Sequence, residues 1–346
     1  MCAVDLSNIE ARMTAGKALK QAPKMERLWV LDDGRKGNLN RCLGVAAGLG
    51  FTDPEVIAVR AKWHTRLLDW LPVRWVFDGL PKVADFPDVV LAAGARGSRV
   101  LAWMKGQDAG VFGVQIMRPA KGYGVYDVVI MEAHDNPPKR TNVCVTTGAV
   151  NHITKDKLTQ EAQRWESRLK HCGKPRLAVM VGGGSKHGVF GVAEAARLAE
   201  EMLAGAKENG LSLLVTTSRR TGAEATAVLE KAFTQQTKVA VHFWKPDDPL
   251  ARDNPYLAYL ASADAVVVTG DSISMVSEAA SAGKPVYVWV GDGKLPRKFA
   301  TFLETMKTQG RVRIWGGKLN LRPPAGAMMD TALAVGFVLS RWRGKV

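Results

Sequence analysis

Three successive glycines, Gly182-Gly183-Gly184, are followed at once by Ser185 and Lys186. Glycine lets a backbone turn tightly and come close to a phosphate with no side chain in the way; a hydroxyl and an ammonium then add a donor and a charge. The GxxxxGK[ST] spacing is absent, so hydrolysis of a triphosphate is not predicted. A plain glycine-rich turn is the other reading of this run. A second stretch, Thr269-Gly270-Asp271-Ser272-Ile273-Ser274, places small residues ahead of a helical pattern and so opens a helix N-terminus to an anion. Glu278 falls in the second turn of that helix, where a carboxylate reaches ribose hydroxyls. The alternative is that Ser272 or Ser274 N-caps the helix and Glu278 only stabilises it. Ser218-Arg219-Arg220-Thr221 directly follows the apolar run Leu211–Thr217. Guanidinium forks suit a diphosphate, and one of the two arginines is expected in the crevice, the other on the surface.

The first half offers a different set. Asp33-Gly34-Arg35-Lys36-Gly37-Asn38 follows Arg27–Leu31. It supplies a candidate general base, Asp33, and an acceptor-side loop containing Gly34, Gly37 and Asn38. Gly94-Ala95-Arg96 and Glu132-Ala133-His134-Asp135 are weaker candidates on the same rim. A lone histidine such as His134 is more often structural than catalytic. No Ser-His-Asp or Cys-His spacing and no GxSxG elbow occurs, and the first loop is not GxGxxG. A serine-type hydrolase and a simple dinucleotide oxidoreductase are therefore poor fits. Without CxxC or HxxxH pairs, neither a metal site nor a cofactor is expected.

The elements that must carry these loops read as strand, loop and helix in alternation. Apolar runs at Arg27–Leu31, Glu55–Val59, Asp88–Ala93, Val111–Met117, Tyr126–Met131 and Val143–Thr147 predict buried strands, with a loop at Gly94–Ser98. The pattern fades through a charged helix from about Thr154 to Pro175. It then restarts with strands at Leu177–Val181, Leu211–Thr217, Val239–Phe243, Ala265–Thr269 and Pro285–Val290. Continuous apolar strands separated by helices predict parallel sheets covered on both faces. The expected organisation is a frayed extension over 1–25, a Rossmann-like domain over 26–170 on the acceptor side, a second over 175–325 on the nucleotide side, and a basic helix over 326–346. The two domains face each other across a cleft, with the last helix packing back on the first domain.

A chain of 346 residues can bury two cores, and an apolar share of 47% with 23% charged residues argues against disorder or a coiled coil. The four cysteines, Cys2, Cys42, Cys144 and Cys172, are widely spaced, which fits free thiols in a reducing compartment. A net charge of +15 favours anionic partners or a solvated basic surface. No nucleic-acid-binding signature is present, so an anionic membrane surface ranks ahead of nucleic acid. The first 25 residues lack the apolar core of a secretory signal, and no apolar run reaches the ~20 residues of a membrane span. A cytoplasmic protein is expected, soluble or peripheral on the inner face of a membrane.

Several strings together resemble a known family. They are Trp29-Val30-Leu31-Asp32-Asp33-Gly34 with Gly37-Asn38, Pro87-Asp88 with Ala92-Ala93-Gly94, and Asn142-Val143 with Thr146-Thr147-Gly148-Ala149 and His152. In the second half they are Thr216-Thr217-Ser218-Arg219-Arg220-Thr221, Asn254-Pro255-Tyr256, Asp271-Ser272-Ile273-Ser274-Met275-Val276-Ser277-Glu278, Gly283-Lys284-Pro285-Val286 and Arg297-Lys298-Phe299. The chain resembles, over roughly 27–335, the mitochondrial-fission "elongated mitochondria" family and its bacterial members. One departure stands out: Arg41 replaces the glutamine usual shortly after the first-loop asparagine.

The resemblance implies a fold similar to GT-B glycosyltransferases and a second half similar in plan to the peptidoglycan N-acetylglucosamine transferase. Carried over by motif, diphosphate contacts fall on Gly183, Gly184 and Ser185, and a ribose contact on Glu278. Plant members are associated with recruiting a dynamin-type fission protein. The first expectation is thus a metal-independent glycosyltransferase that takes a nucleotide sugar and acts on an envelope glycan or lipid, with Asp33 as base and Arg219 or Arg220 on the diphosphate. The alternatives are a non-catalytic membrane-associated adaptor and, behind it, an epimerase on the same fold.

Overall fold

Val89–Ala93 is buried at all five positions, as are Phe112–Ile116 and Val128–Glu132. Strands that are apolar on both sides need cover on both sides, and only a helix-flanked parallel sheet provides it. The computed structural model describes residues 24–62, 71–184, 190–236, 238–246, 253–292, 295–322, 324 and 326–344. Of the extension expected over 1–25, residues 1–23, and with them Cys2, lie outside the described residues, as do Ser185 and Lys186.

In the first half, β1 (Leu28–Asp32) leads into α1 (Lys36–Gly48) and β2 (Glu55–Ala58). A small antiparallel pair follows, β3 (Arg60–Ala61) with β4 (Phe77–Asp78), joined through the short helix α2 (Val73–Val76). Then come β5 (Val89–Ala93), α3 (Gly94–Gln107), β6 (Phe112–Ile116), β7 (Val128–Glu132) and β8 (Val143–Thr146). The main sheet has the order β2-β1-β5-β6-β7-β8, with every pairing parallel. After α4 (Lys155–Trp165) the second half repeats the plan. It comprises β9 (Arg176–Met180), α5 (Val192–Asn209), β10 (Ser212–Thr216), α6 (Ala223–Thr234), β11 (Val241–Trp244), α7 (Tyr256–Ser262), β12 (Ala265–Thr269), α8 (Ile273–Ser281), β13 (Val286–Trp289), α9 (Arg297–Thr308) and β14 (Arg313–Ile314). Its sheet order is β11-β10-β9-β12-β13-β14, again all parallel. Each sheet has an apolar cluster on either face. This is the expected α/β architecture of two Rossmann-like halves.

The strand boundaries follow the apolar runs to within two residues. The first departure is at Gly94, which was expected to open a loop and is instead the first residue of α3. Its φ of +71° makes the turn into the helix without any intervening segment. The β3–β4 pair and the two-residue edge strand β14 were not anticipated, because two residues carry no readable period.

The last helix, α10 (Asp330–Arg343), packs back on the first half as expected: Ala334, Val335 and Val338 enter its core. Gly48 on α1 has no Cβ because Val335 occupies that space. Trp342 sets its ring edge-on against Phe112 at 5.2 Å between centroids. The helix start also ties the halves together. The Asp330 carboxylate accepts the N–H groups of Gly148 (2.6 Å) and Thr147 (3.3 Å), Thr331 Oγ1 accepts from Asn151 N–H at 3.0 Å, and Asn151 donates to Ser281 on α8 at 3.0 Å. Among the described residues, no helix is long and apolar enough to cross a membrane.

A half-buried histidine gives this fold a pH limit. His242 on β11 bonds the Tyr259 hydroxyl and lies against His171, with Trp165 edge-on at 6.1 Å. Burial, helped by the nearby His171 and Arg168, lowers its pKa from 6.5 to about 4. The unfolded imidazole therefore takes up a proton before the folded one, so this contribution is complete above pH 6.5 and is lost as the pH falls toward 4. Thermal unfolding followed by circular dichroism across that window should show a falling midpoint, and His242→Gln should flatten the fall.

Candidate functional site

In a sheet of this order the crossovers change direction between β9 and β12, and the loops leaving those two strands part to form a crevice. Gly182-Gly183-Gly184 leaves β9 and Gly270-Asp271 leaves β12. The loop after β10 closes the side: Ser218 and Thr221 hydroxyls both donate to the Gly182 carbonyl, Thr221 at 2.6 Å. Gly182–Gly184 of the expected phosphate loop, Arg220 and the start of α8 are thus brought together.

The crevice holds an anion of the protein's own. Gly182 N–H donates to Thr269 Oγ1 at 2.8 Å, Gly184 N–H to the Arg220 carbonyl at 3.1 Å, and Gly183 N–H to Asp271 Oδ2 at 2.9 Å. The Arg220 guanidinium lies 3.3 Å from the same Asp271 oxygen. A Cβ at Gly182 would overlap that carboxylate, and one at Gly183 would run into the backbone of Arg220 and Thr221. Burial raises the Asp271 pKa, partly offset by its bond to Thr269, the Arg220 charge and Gly183 N–H. Both arginines are exposed, and it is Arg220 whose guanidinium reaches into the crevice, to Asp271.

Helix α8 carries the next set. Ser272 is its N-cap, accepting Met275 N–H at 3.4 Å, so this hydroxyl is used in the way the structural alternative anticipated. Glu278, half-buried one turn deeper, accepts the Tyr256 hydroxyl at 2.6 Å. Burial raises the Glu278 pKa, with the Tyr256 bond and the Arg41 charge pulling it back. Tyr256 itself, raised by burial and by Glu278, stays a phenol and a donor.

Arg41 crosses from the first half. Its guanidinium pairs with Glu132 at the end of β7 and donates to Ser274 on α8 at 3.3 Å. Next to it, Asp135 pairs with Lys298 of α9 at 2.6 Å, and His134 meets Phe302 edge-on at 5.4 Å. Burial, the largest cause, lowers the His134 pKa and keeps the ring neutral at pH 7. Ligating atoms of Glu132, His134 and Asp135 lie within 4.8 Å of one another. Both carboxylates already carry a cation from a side chain, so the group acts as a seam between the halves.

The first sheet has its own crevice, between β1 and β5. Asp33 sits there, buried, but its two oxygens accept Arg35 N–H (3.1 Å) and Asn38 Nδ2 (3.0 Å). Asn38 also packs under Gly94, where a Cβ would come within 2.7 Å of its amide. Gly34, at φ +82°, makes the exposed turn; Gly37 is exposed with open space around it; Arg96 is half-buried in the first turn of α3. Asp33, Asn38 and Gly94 are therefore one cluster, and Gly37 stands apart. Sequence reading did not single out Asp271 or Tyr256, and left Glu132 in a weaker group. An acid directly between a strand and a helix cap was the available signal for Asp271.

Residues 36–342 match the family described as mitochondrial fission ELM1. The chain belongs to that family. It is 30% identical over 256 residues to Mitochondrial fission protein ELM1 of Arabidopsis thaliana, a match that covers 67% of this chain and 58% of the plant protein's length. It is 25% identical over 331 residues to the uncharacterized protein RP120 of Rickettsia prowazekii, covering 85% of this chain and 92% of that one. Among solved structures it is similar to the UDP-GlcNAc 2-epimerase of Neisseria meningitidis bound to UDP-GlcNAc, with a TM-score of 0.52, 14% identity, and coverage of 91% of this chain and 100% of that chain. The UDP-GlcNAc 2-epimerase of Methanocaldococcus jannaschii gives a TM-score of 0.52 at 11% identity, over 91% and 92%. At such identities the likeness establishes the fold, which is GT-B-like.

Within this family member, the glycine at position 183 is a structural requirement of the crevice. Gly183→Ala places a methyl against the backbone of Arg220, and overpacking of this kind costs about 1–3 kcal/mol. Urea denaturation should register that loss, while Gly37→Ala, with open space around it, should leave the midpoint in place.

Proposed function

We propose that the chain binds a nucleotide sugar in the β9/β12 crevice and transfers the sugar to an acceptor held against the first sheet, as a metal-independent GT-B-type glycosyltransferase acting on an envelope glycan or lipid. The observation that carries the reading is the convergence of Gly183 N–H, the Arg220 guanidinium, the N-terminus of α8 and Glu278 on one crevice opposite Arg41. The bound UDP-GlcNAc of the Neisseria epimerase supports the ligand class.

In this reading the acceptor hydroxyl attacks the anomeric carbon and the nucleoside diphosphate leaves. Its developing charge is met by the α8 dipole and Arg220, groups already oriented before the reaction begins. Glu278 accepts ribose hydroxyls, and Tyr256 holds its carboxylate in place. Arg41, paired with Glu132, stands where the family resemblance leads one to expect a glutamine, so an acceptor or sugar with a negative group would have to compete with Glu132 for it. Asp33 serves as base only by giving up its bond to Asn38.

Two variants test the reading. Calorimetry should give saturable binding of a nucleoside diphosphate or its sugar, weakened by Glu278→Ala at least about tenfold, the effect of losing a charged hydrogen bond. Asp33→Asn should leave that binding unchanged and lower transfer by about 10²–10⁴-fold, the range for a lost general base. Absence of binding by every common nucleoside diphosphate would refute the proposal.

An adaptor role is the second reading, favoured by one observation: the anion position of the crevice is already filled by Asp271. The exposed Arg341 and Arg343 at the end of α10 would then meet an anionic membrane. Because Trp342 packs on Phe112, point changes test this better than deletion. Association with anionic vesicles should fall in high salt and in Arg341→Ser/Arg343→Ser, and be indifferent to Glu278→Ala. Binding that is insensitive to salt contradicts it.

A further inference from the structure

The groups that would hold a ligand phosphate in the β9/β12 crevice are not waiting for one. Gly183 N–H and the Arg220 guanidinium both converge on Asp271 Oδ2, at 2.9 and 3.3 Å. The space left by the absent side chain of Gly182 is filled by the same carboxylate. In the chain, Asp271 lies between the end of β12 and the N-cap of α8. We propose that Asp271 is the specificity-determining residue of this crevice: its carboxylate stands in for a ligand phosphate and must leave before one enters, so that only a group carrying more negative charge than a carboxylate, a phosphate or diphosphate, gains access. The proposal rests on the reading of this crevice as the nucleotide site.

The electrostatics make the exchange feasible. Two anions cannot share one N–H group and one guanidinium a few ångströms apart, since like charges so placed repel strongly. Burial raises the Asp271 pKa despite Thr269, Arg220 and Gly183, so the charged carboxylate carries a desolvation cost where it sits. Its present position is thus a poorer home for a carboxylate than water is. A diphosphate makes the same bonds with more charge and more oxygens, and adds the α8 N-terminus. A carboxylate ligand has no such advantage over the resident one. Rotation of the Asp271 side chain away from Gly183 frees the position without moving a strand.

The test is calorimetry on the full chain with two probes, inorganic pyrophosphate and UDP. Asp271→Asn keeps the shape and removes the charge; Asp271→Ala keeps the test open if the amide retains the bond to Gly183. At least one of the two, folded as judged by its thermal midpoint, should bind both probes about tenfold more tightly than the wild type or better. Adding Arg220→Ala should abolish that gain. Wild-type UDP binding with no gain in either variant overturns the role of Asp271 and leaves the nucleotide reading standing. Tighter pyrophosphate binding with no UDP binding supports the role of Asp271 and removes the nucleotide reading. Binding of neither probe by any variant overturns both.

Discussion

Where the crossovers of a parallel sheet change direction, the two strands at the change send their loops apart and leave their terminal backbone N–H groups facing a gap. Those N–H groups must be satisfied, and the dipole of the following helix favours a negative partner. Both sheets of this protein obey that constraint, and each meets it with a carboxylate of its own. In the first sheet Asp33 accepts from the loop after β1; in the second Asp271 accepts from the loop after β9. The chemistry open to either crevice begins from these internal anions. Any ligand has to replace or work around them.

The same device joins the halves. Asp330, in the first turn of α10, accepts the N–H groups of Thr147 and Gly148 just beyond β8. Burial raises its pKa, with those two N–H bonds and Arg311 pulling it back. Around it, Gly44 and Gly148 lack side chains because Asn151 and Ser277 with Met328 fill the space. Close backbone approach then allows the hydrogen bonds of Asn151 and Ser277 across the seam. With the seam fixed, Arg41 reaches Ser274 and Lys298 reaches Asp135. The cleft is therefore lined from both sides by paired charges, and its net character is set by which pairs a ligand breaks.

Family membership and fold frame these observations without deciding activity. A GT-B-like fold hosts transferases, epimerases and binding proteins alike, and function resides in the site grafted on it. Two charged members of the site matter most, Arg41, which departs from the family pattern, and Asp271, which belongs to it. Arg41 adds a cation where the family resemblance leads one to expect an amide, and Asp271 adds an anion where a phosphate would rest.

The strands, the helices that separate them and the existence of two sheets were legible in the residue order, because apolar period and glycine position are local properties. Ala265–Thr269 shows this well: five apolar or small residues bounded by Asp264 and Gly270 define β12 with no help from the rest of the chain. The loop of Gly182–Gly184, the arginine pair and Glu278 were legible too, since strand ends carry ligand loops in such sheets. Which hydroxyl caps and which carboxylate caps were not. Ser272 had a binding reading and a capping one, Asp33 had only a reading as base, and Asp271 had none. Their roles rest on partners 2 to 88 residues away, from Arg35 for Asp33 to Gly183 for Asp271. Arg220 rather than Arg219 enters the crevice for the same reason: adjacent residues point apart, and only the packed position of the β10 loop selects between them. Sequence determined the elements and the loops at their ends; the pairing of charges within and between those loops is a long-range property, decided when the sheets formed and α10 closed over the seam.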